Sequence, residues 1–249
     1  MTTLAFAAGG YRFIPAVFQY SGGVAAEPGF RIERVTFRTP VPLAAGFERI
    51  RRIIEARGRP PAAFCACELR SPEPFTEAGF KAFNEVYAGV LTKWGIYDGR
   101  TNPVARSNVC PELHKPAEPA FHAFAFTVPA KDASPSFCVA GSGECPEGKG
   151  SYRDHIVRRG DVSPDGLAEK ARWVLGEMER RLAALGHGWA DTTATQVYTV
   201  HDFHPLLGRE IAPRGAARAG LTWHYCRPPV VEIDYEMDCR SVAIEHVVD

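Results

Sequence analysis

Residues 163–186 read SPDGLAEKARWVLGEMERRLAALG and predict the clearest helix of the chain. Ser163 is a favourable N-cap and Pro164 a favourable first residue, while Gly186 is typical of the position just after a helix. Apolar side chains recur between these ends at helical spacing: Leu167, Ala171, Val174, Leu175, Met178, Leu182 and Leu185. The pattern therefore predicts an amphipathic helix with one buried face.

The segments around this helix have counterparts in the first half of the chain. VAGSGE (139–144) precedes the helix, and the β-rich run ATQVYTV (194–200) follows it. In the first half FQYSGG (18–23) precedes a helical pattern at 42–58, and the β-like run AFCACEL (63–69) follows that helix. An approximate repeat of this size indicates a duplicated domain.

Both halves are completed by further helix and strand patterns, at 76–95, 102–110 and 120–128 in the first and at 205–213, 214–226 and 230–238 in the second. The two halves join near TVPAKDASPSF (127–137), which is rich in Pro, Ser, Ala and charge. We therefore predict an α+β protein with two tandem domains, 1–130 and 131–249. Each domain is expected to hold a mixed β-sheet covered on one face by helices.

The composition is typical of a globular protein with a sizeable core. The chain has 249 residues, of which 45% are hydrophobic and 23% charged. Lys+Arg and Asp+Glu both number 29, so net charge does not favour nucleic acid or an anionic membrane. The first residues lack the basic start of a targeting segment, and no apolar run is long enough to span a membrane. We expect a cytoplasmic protein that binds neither nucleic acid nor membrane.

Two short motifs suggest chemistry that their surroundings do not support. Gly148 and Lys149 stand where a phosphate-binding loop would have them, but Gly150 follows in place of the required Ser or Thr. His201 and His204 have H-x-x-H spacing, but Pro205 and a turn break the regular geometry of a metal pair. We therefore predict neither a P-loop nor a metal site, and we consider His201 a candidate proton shuttle.

The seven cysteines fit no zinc-binding pattern. The only close pair is Cys65 and Cys67, which would pack on one face of a strand. We expect all of the cysteines to be reduced, and Cys110 is the first to check for a catalytic role.

The run VVEIDYEMD (230–238) alternates apolar and acidic residues and predicts a strand. One face would carry Val231, Ile233, Tyr235 and Met237, and the other Glu232, Asp234, Glu236 and Asp238. Acidic neighbours about 7 Å apart disfavour full ionisation, so at least one carboxyl would have a raised pKa and could act as general acid or base. A solvated sheet face is the alternative interpretation.

The order of these elements resembles the RidA/YjgF family: a Ser-Gly strand end, an amphipathic helix ending in ALG, a VYTV strand and an AR…PP.VEID ending. That resemblance implies chorismate-mutase-like α+β domains that assemble as trimers. It also implies hydrolysis of an enamine or imine without metal or organic cofactor, at a pocket between neighbouring domains. The tandem length, with FCACELRSPEPF (64–75), NPVARSNVCPE (102–112) and YRDHIVRRGD (152–161), resembles the 2-aminomuconate deaminases of aminophenol and chloronitrobenzene breakdown.

The resemblance also implies roles for individual residues. Arg218 matches the family's carboxylate-binding arginine, and Asp234 or Glu232 its catalytic acid. Arg106 matches the arginine in the first half, where His122 is the only polar residue near the acid position. The residues expected to bind substrate are Arg106, Asn108, Ser142, Arg153 and His155.

The function that the resemblance implies is a cofactor-free deaminase of 2-aminomuconate or a chlorinated relative. Its expected partners are a small dicarboxylate substrate and further copies of the chain, as a trimer or hexamer. Two alternatives stay open: a broader imine deaminase or amide hydrolase on the same scaffold, and a ligand-binding protein whose site has decayed.

Overall fold

The computed structural model describes residues 2–131 and 134–249. The strands of the first half are β1 (Leu4–Phe6), β2 (Tyr11–Phe13), β3 (Gly23–Ala26), β4 (Phe30–Pro42), β5 (Phe64–Arg70), β6 (Ala105–Pro111) and β7 (Ala120–Pro129). Those of the second half are β8 (Phe137–Gly143), β9 (Ala194–Tyr198), β10 (Thr222–His224), β11 (Cys226–Arg227), β12 (Glu236–Ser241) and β13 (Ile244–Val248). The long helices are α1 (Leu43–Ala56), α2 (Glu77–Lys93) and α3 (Pro164–Leu185).

The strands form two sheets of mixed direction. The larger sheet has the order β1-β2-β3-β8-β12-β9-β10, and the smaller has the order β11-β6-β5-β7-β4-β13. Most neighbours are antiparallel, but β9 and β10, β5 and β6, and β4 and β13 pair in parallel. The predicted α+β class, with mixed sheets and helices on one face of each, is confirmed.

Strands cross between the halves of the chain. The N-terminal strands β1 to β3 belong to the larger sheet, because β3 pairs with β8 at Gly23 and Val139. In return β13 pairs with β4 at Ile244 and Glu33, and β11 pairs with β6 in the smaller sheet. Each sheet therefore contains strands from both halves. The division at residue 130 stays a prediction, and residues 132 and 133 of the expected junction lie outside the described residues.

Helix α3 begins and ends where its sequence predicts. The Ser163 hydroxyl accepts a hydrogen bond from the Gly166 amide at 3.2 Å, and Gly186 adopts the left-handed φ of 86°. Its predicted apolar face is buried against the larger sheet, together with Tyr235 and Met237. Within the described ranges, no helix has the length and apolar character to cross a membrane.

The two sheets pack face to face with helices on their outer sides. Helices α1 and α2 bury Phe47, Ile50 and Tyr87 against the smaller sheet. A separate apolar cluster lies between the sheets and includes Ala105 of β6 and Ala140 of β8. This contact brings the edge of the smaller sheet close to the middle of the larger one, and it is there that the halves share a cavity.

The acidic run at 230–238 differs from its prediction. Strand β12 begins only at Glu236, since Pro228 and Pro229 cannot donate to a ladder and the chain turns after them. Val230 instead forms a bridge with Phe75 of the first half. The prediction of one continuous strand from Val230 was wrong, so Glu232 and Asp234 lie outside the strand that carries Glu236 and Asp238.

The stretch FQYSGG (18–23) is not the structural copy of VAGSGE (139–144). Residues 137–143 form β8, whereas β3 begins only at Gly23. Ser21 bridges instead to Ala105, and its amide donates to the Val104 carbonyl at 2.8 Å. The repeat therefore predicts which elements form, but it does not predict which elements of the two halves correspond in space.

Candidate active site

A cavity lies between the halves, at the edge where β6 approaches β8 and β12. Strand β6 contributes Arg106 and Asn108, β8 contributes Ser142, and β12 contributes Glu236. The remaining wall consists mainly of aromatic and apolar residues: Tyr20, Phe80, Cys145, Tyr152, Pro229, Val230 and Ile233. The cavity thus combines a cation from one sheet with an acid from the other.

The Arg106 guanidinium is buried without a hydrogen-bonding partner. The residue is 3% exposed, and none of its three guanidinium nitrogens bonds to another described residue. Four aromatic rings surround the group, with centroids 4.8–5.7 Å from its carbon, and belong to Tyr20, Phe80, Phe83 and Tyr87. A buried cation is costly unless it is paired, so this group is arranged to receive an anion from outside the chain. A carboxylate matches its planar fork.

The Glu236 carboxyl group faces the same cavity. The residue is 4% exposed, and its carboxyl group makes no hydrogen bond within the described part of the chain. Burial raises the pKa of Glu236 well above its ordinary value, and the nearby carboxyls of Asp238 and Glu144 raise it further. Glu236 therefore keeps its proton at pH values where an exposed glutamate has lost it.

A glycine on the neighbouring strand makes room for this acid. A Cβ at position 141 would overlap Oε1 of Glu236 and would lie 3.2 Å from Cα of Ser107. Gly141 has φ outside the left-handed region, so its role is space and not backbone freedom. The close approach of two strands thus fixes where the carboxyl group lies.

Comparison with known proteins identifies the family. The family described as "2-aminomuconate deaminase CnbZ" matches residues 3–246. The chain belongs to the CnbZ family. A curated relative from Comamonas testosteroni, 2-amino-5-chloromuconate deaminase, is 53% identical over 245 residues, which cover 98% of each chain. The CnbZ family is thus shown by sequence over almost the whole chain.

Solved structures show a related fold at low identity. Chorismatase aligns with 88% of this chain and 77% of its own at a TM-score of 0.55 and 12% identity, which indicates a shared fold alone. The E. coli YjgF gene product aligns with 43% of this chain and 80% of its own at a TM-score of 0.33 and 17% identity, too low to support an argument.

In this CnbZ family member, Asp234 does not line the cavity. Its carboxylate pairs with Nζ of Lys170 at 3.0 Å and lies 3.3 Å from Nε2 of His201. Glu144 pairs with the same lysine and accepts hydrogen bonds from the amides of Asp234 and Tyr235. The predicted acid and proton shuttle are therefore part of a neighbouring ion-pair cluster, which anchors the chain just before Glu236.

The other expected acid and the arginine of the second half also lie elsewhere. Glu232 adopts a φ of 73° in a turn, with its carboxylate 3.8 Å from Arg153 and 3.7 Å from Arg159. Arg218 is exposed and donates a hydrogen bond to the Ala190 carbonyl at 2.5 Å. It precedes β10 by a turn, whereas Arg106 lies within β6, so the two arginines hold different positions in the fold.

Three of the expected substrate-binding residues come together, and two do not. Arg106, Asn108 and Ser142 line the cavity, whereas Arg153 and His155 are exposed outside it. The Asn108 side chain accepts from the Ser71 hydroxyl at 2.9 Å, but its Nδ2 is buried without a described partner. Asn108 can therefore donate to a ligand beside Arg106.

Glu236 is a candidate site residue that the sequence analysis placed on the acidic face but did not select. Its partner on that face, Asp238, is fully hydrogen-bonded: it accepts from Ser107 at 2.5 Å and from Gln196 and Tyr198 at 2.8 Å. Burial also raises the pKa of Asp238. Only the pairing of β12 with the glycine-containing β8 distinguishes the free acid from the bonded one.

The cysteines and histidines form no metal centre in the described ranges. No group of three or more His, Cys, Asp or Glu there could hold a metal ion. All seven cysteines are free and buried, and burial raises the pKa of Cys110 and that of Cys145, the latter to about 12. A thiol that keeps its proton is a poor nucleophile, so we assign neither cysteine a catalytic role.

Proposed function

We propose that this protein is a deaminase that hydrolyses 2-aminomuconate, or a chlorinated relative, and releases ammonia. Membership of the CnbZ family and the 53% identical deaminase support an enzyme that acts on a C–N bond of this substrate class. The observation that carries the proposal is that the unpaired Arg106 guanidinium and the buried Glu236 carboxyl, whose pKa burial raises, line the same cavity.

Arg106 binds the carboxylate next to the amino-bearing carbon. This contact neutralises the buried cation. It also fixes the position and the orientation of the carboxylate, because the guanidinium forms two parallel hydrogen bonds with it. Nδ2 of Asn108 and the Ser142 hydroxyl lie in the same wall and can donate to the same end of the substrate. The reacting carbon is thereby held near Glu236.

Glu236 first acts as a general acid. Its proton is transferred to a carbon of the conjugated chain, the enamine π electrons form the new C–H bond, and the nitrogen lone pair forms the C=N bond of an iminium ion. A carboxyl with a raised pKa is suited to this step, since it holds its proton to higher pH than an exposed glutamate does.

The Glu236 carboxylate then acts as a general base. It accepts a proton from water as the water oxygen bonds to the iminium carbon, and that proton then passes to nitrogen. The C–N bond breaks as the C=O bond forms, and the hydroxyl proton of the carbinolamine returns to Glu236, which restores the acid. The sum is enamine plus water to oxo acid plus ammonia, so no oxidant or further reactant is consumed. This sequence makes the enzyme a hydrolase.

The arginine and the acid come from one chain, so these two groups do not require a neighbouring subunit. The proposed relationship to the RidA/YjgF superfamily, the trimer or hexamer and the cytoplasmic location stay predictions. The alternative of a decayed site was based on the missing acid of the first half. Glu236 of the second half supplies that acid to Arg106, which favours the enzyme.

The deciding experiment measures ammonia release from freshly generated 2-aminomuconate, together with loss of its ultraviolet absorbance, with and without a chelator. Chelator-resistant release by the wild type, and its loss in Arg106→Met, are expected. If the wild type releases no ammonia from this substrate or from simple imino acids, the deaminase proposal is wrong.

A further inference from the structure

We propose that Lys81 and Lys149 bind the second carboxylate of the substrate and select dicarboxylates over monocarboxylates. The proposal rests on the proposed function, because it assumes that the first carboxylate binds Arg106. It assigns a role to the Gly148–Gly150 stretch, whose lysine does not belong to a phosphate-binding loop.

An outer chamber adjoins the catalytic cavity. Its walls come from three segments: residues 17–19, the first turns of α2 and the loop 146–152. The chamber and the inner cavity share Phe80 and Tyr152, whose rings lie edge to face with centroids 6.4 Å apart, so these two rings form the boundary between them. A ligand longer than the inner cavity therefore extends into the outer chamber.

The outer chamber is cationic. Lys81 and Lys149 line it, and neither makes an ion pair within the described part of the chain. Its one acidic wall residue, Glu77, accepts hydrogen bonds from the Ser151 hydroxyl and the Arg153 amide, both at 3.3 Å. Glu147, at the rim of the inner cavity, is already paired with Arg181 at 2.7 Å. A second anion would thus find two uncommitted cations.

The expected substrate has the shape to use both chambers. With its first carboxylate on Arg106 and the adjacent carbon beside Glu236, the flat conjugated chain continues toward Phe80 and Tyr152. Burial raises the pKa of Tyr152 to about 12, so its ring stays a neutral phenol beside the chain. The far carboxylate then lies in the outer chamber. Arg153 and Arg159 do not compete for it, since both lie close to Glu232 outside these walls.

The lysines are exposed, so each contact is modest and affects binding more than chemistry. Exposed ion pairs contribute up to about fivefold in affinity each. We expect the double variant Lys81→Met/Lys149→Met to raise KM for 2-aminomuconate by about tenfold and to leave kcat unchanged.

The test compares two unreactive probes by calorimetric titration: cis,cis-muconate, with two carboxylates, and sorbate, with one on a six-carbon diene. The wild type should bind muconate more tightly, and the double variant should lose about tenfold for muconate alone. Lys93→Met, which changes an exposed lysine at the far end of α2, is the matched control. High salt should weaken the binding of muconate more than that of sorbate.

An unchanged muconate affinity in the double variant would overturn the proposal, and so would an equal loss for both probes. Neither readout needs turnover. A wild type that prefers muconate but releases no ammonia would therefore contradict the deaminase function and not the lysine site.

Discussion

Oε1 of Glu236 occupies the space that a Cβ would need at position 141. The acid on β12 and the glycine on β8 lie on adjacent antiparallel strands, so their separation is set by the sheet and not by a flexible loop. The carboxyl group makes no hydrogen bond with the described residues. Its position therefore depends on its steric fit against Gly141.

Gly141→Ala should therefore displace the Glu236 carboxyl group. We expect kcat/KM to fall about 10²-fold, because misplacing a catalytic group by about 1 Å costs that much. Steady-state kinetics and circular dichroism test the expectation. Gly176→Ala, at an exposed helical site where the new Cβ contacts nothing, is the control and should keep full activity. Equal activity of the two variants would contradict the steric role of Gly141.

Glu236→Gln should abolish turnover while stabilising the fold at higher pH. Well below the ordinary pKa of about 4.5 the acid is protonated in both folded and unfolded chains. As the pH rises further, the unfolded chain loses its proton first, so the wild type loses stability until the pH passes the raised pKa of Glu236. Each unit of that increase corresponds to about 1.4 kcal/mol. Glutamine cannot ionise, so the stability of the variant does not fall with pH for this reason.

Thermal unfolding of wild type and Glu236→Gln between pH 4 and pH 9 tests this expectation, with ammonia release measured in parallel. We expect the two curves to converge at low pH and diverge as the pH rises. The control is Glu232→Gln at an exposed turn, which should change neither activity nor the pH dependence. A Glu236→Gln variant that is less stable than wild type at pH 8 would contradict the raised pKa.

Arg106→Met should lower kcat/KM about 10²-fold or more, because it removes a charged pair of hydrogen bonds to the substrate. The melting temperature should not fall, since the guanidinium has no described partner that the change would leave unpaired. Arg218→Met removes an exposed arginine and should retain wild-type kinetics. If Arg218→Met lost activity and Arg106→Met retained it, Arg218 would be the substrate-binding residue.

Lys170→Met should destabilise the fold by about 3–5 kcal/mol, as expected when one partner of a buried ion pair is removed. The lysine is fully buried between Glu144 and Asp234, and its loss leaves both carboxylates without their cation. Denaturant unfolding measures the effect, and exposed Lys93→Met provides the reference. A change below about 1 kcal/mol would show that the cluster contributes little.

Local signals in the sequence predict the helices well. The caps of α3 and the apolar faces of α1 and α2 depend on residues only a few positions apart, so spacing is sufficient to locate them. The prediction of a strand from Val230 was wrong because it too depended on local spacing alone. Its alternation was correct locally, but Pro229 and the bridge of Val230 to Phe75 direct the chain to the other half.

The site depends on distances that the sequence does not encode locally. Arg106 was expected from its match to the family arginine, and the structure places it in one cavity with Asn108 and Ser142. Choosing Glu236 over Asp234 requires the register of β12 on β8, and rejecting Asp234 requires its contact with Lys170 on a distant helix. Contacts between residues far apart in the second half of the chain decide both.

The crossing of strands has a consequence for the order in which the protein can fold. A ribosome releases β1 to β4 first, but β3 needs β8, and the outer edge of β4 needs β13, which is made some two hundred residues later. The early strands therefore have unpaired edges until β8 and β13 are synthesised, and unpaired edges favour association with other chains. Contacts this far apart in sequence are also expected to make refolding slow. Synthesis of this protein in excess should consequently be sensitive to temperature and to the supply of chaperones.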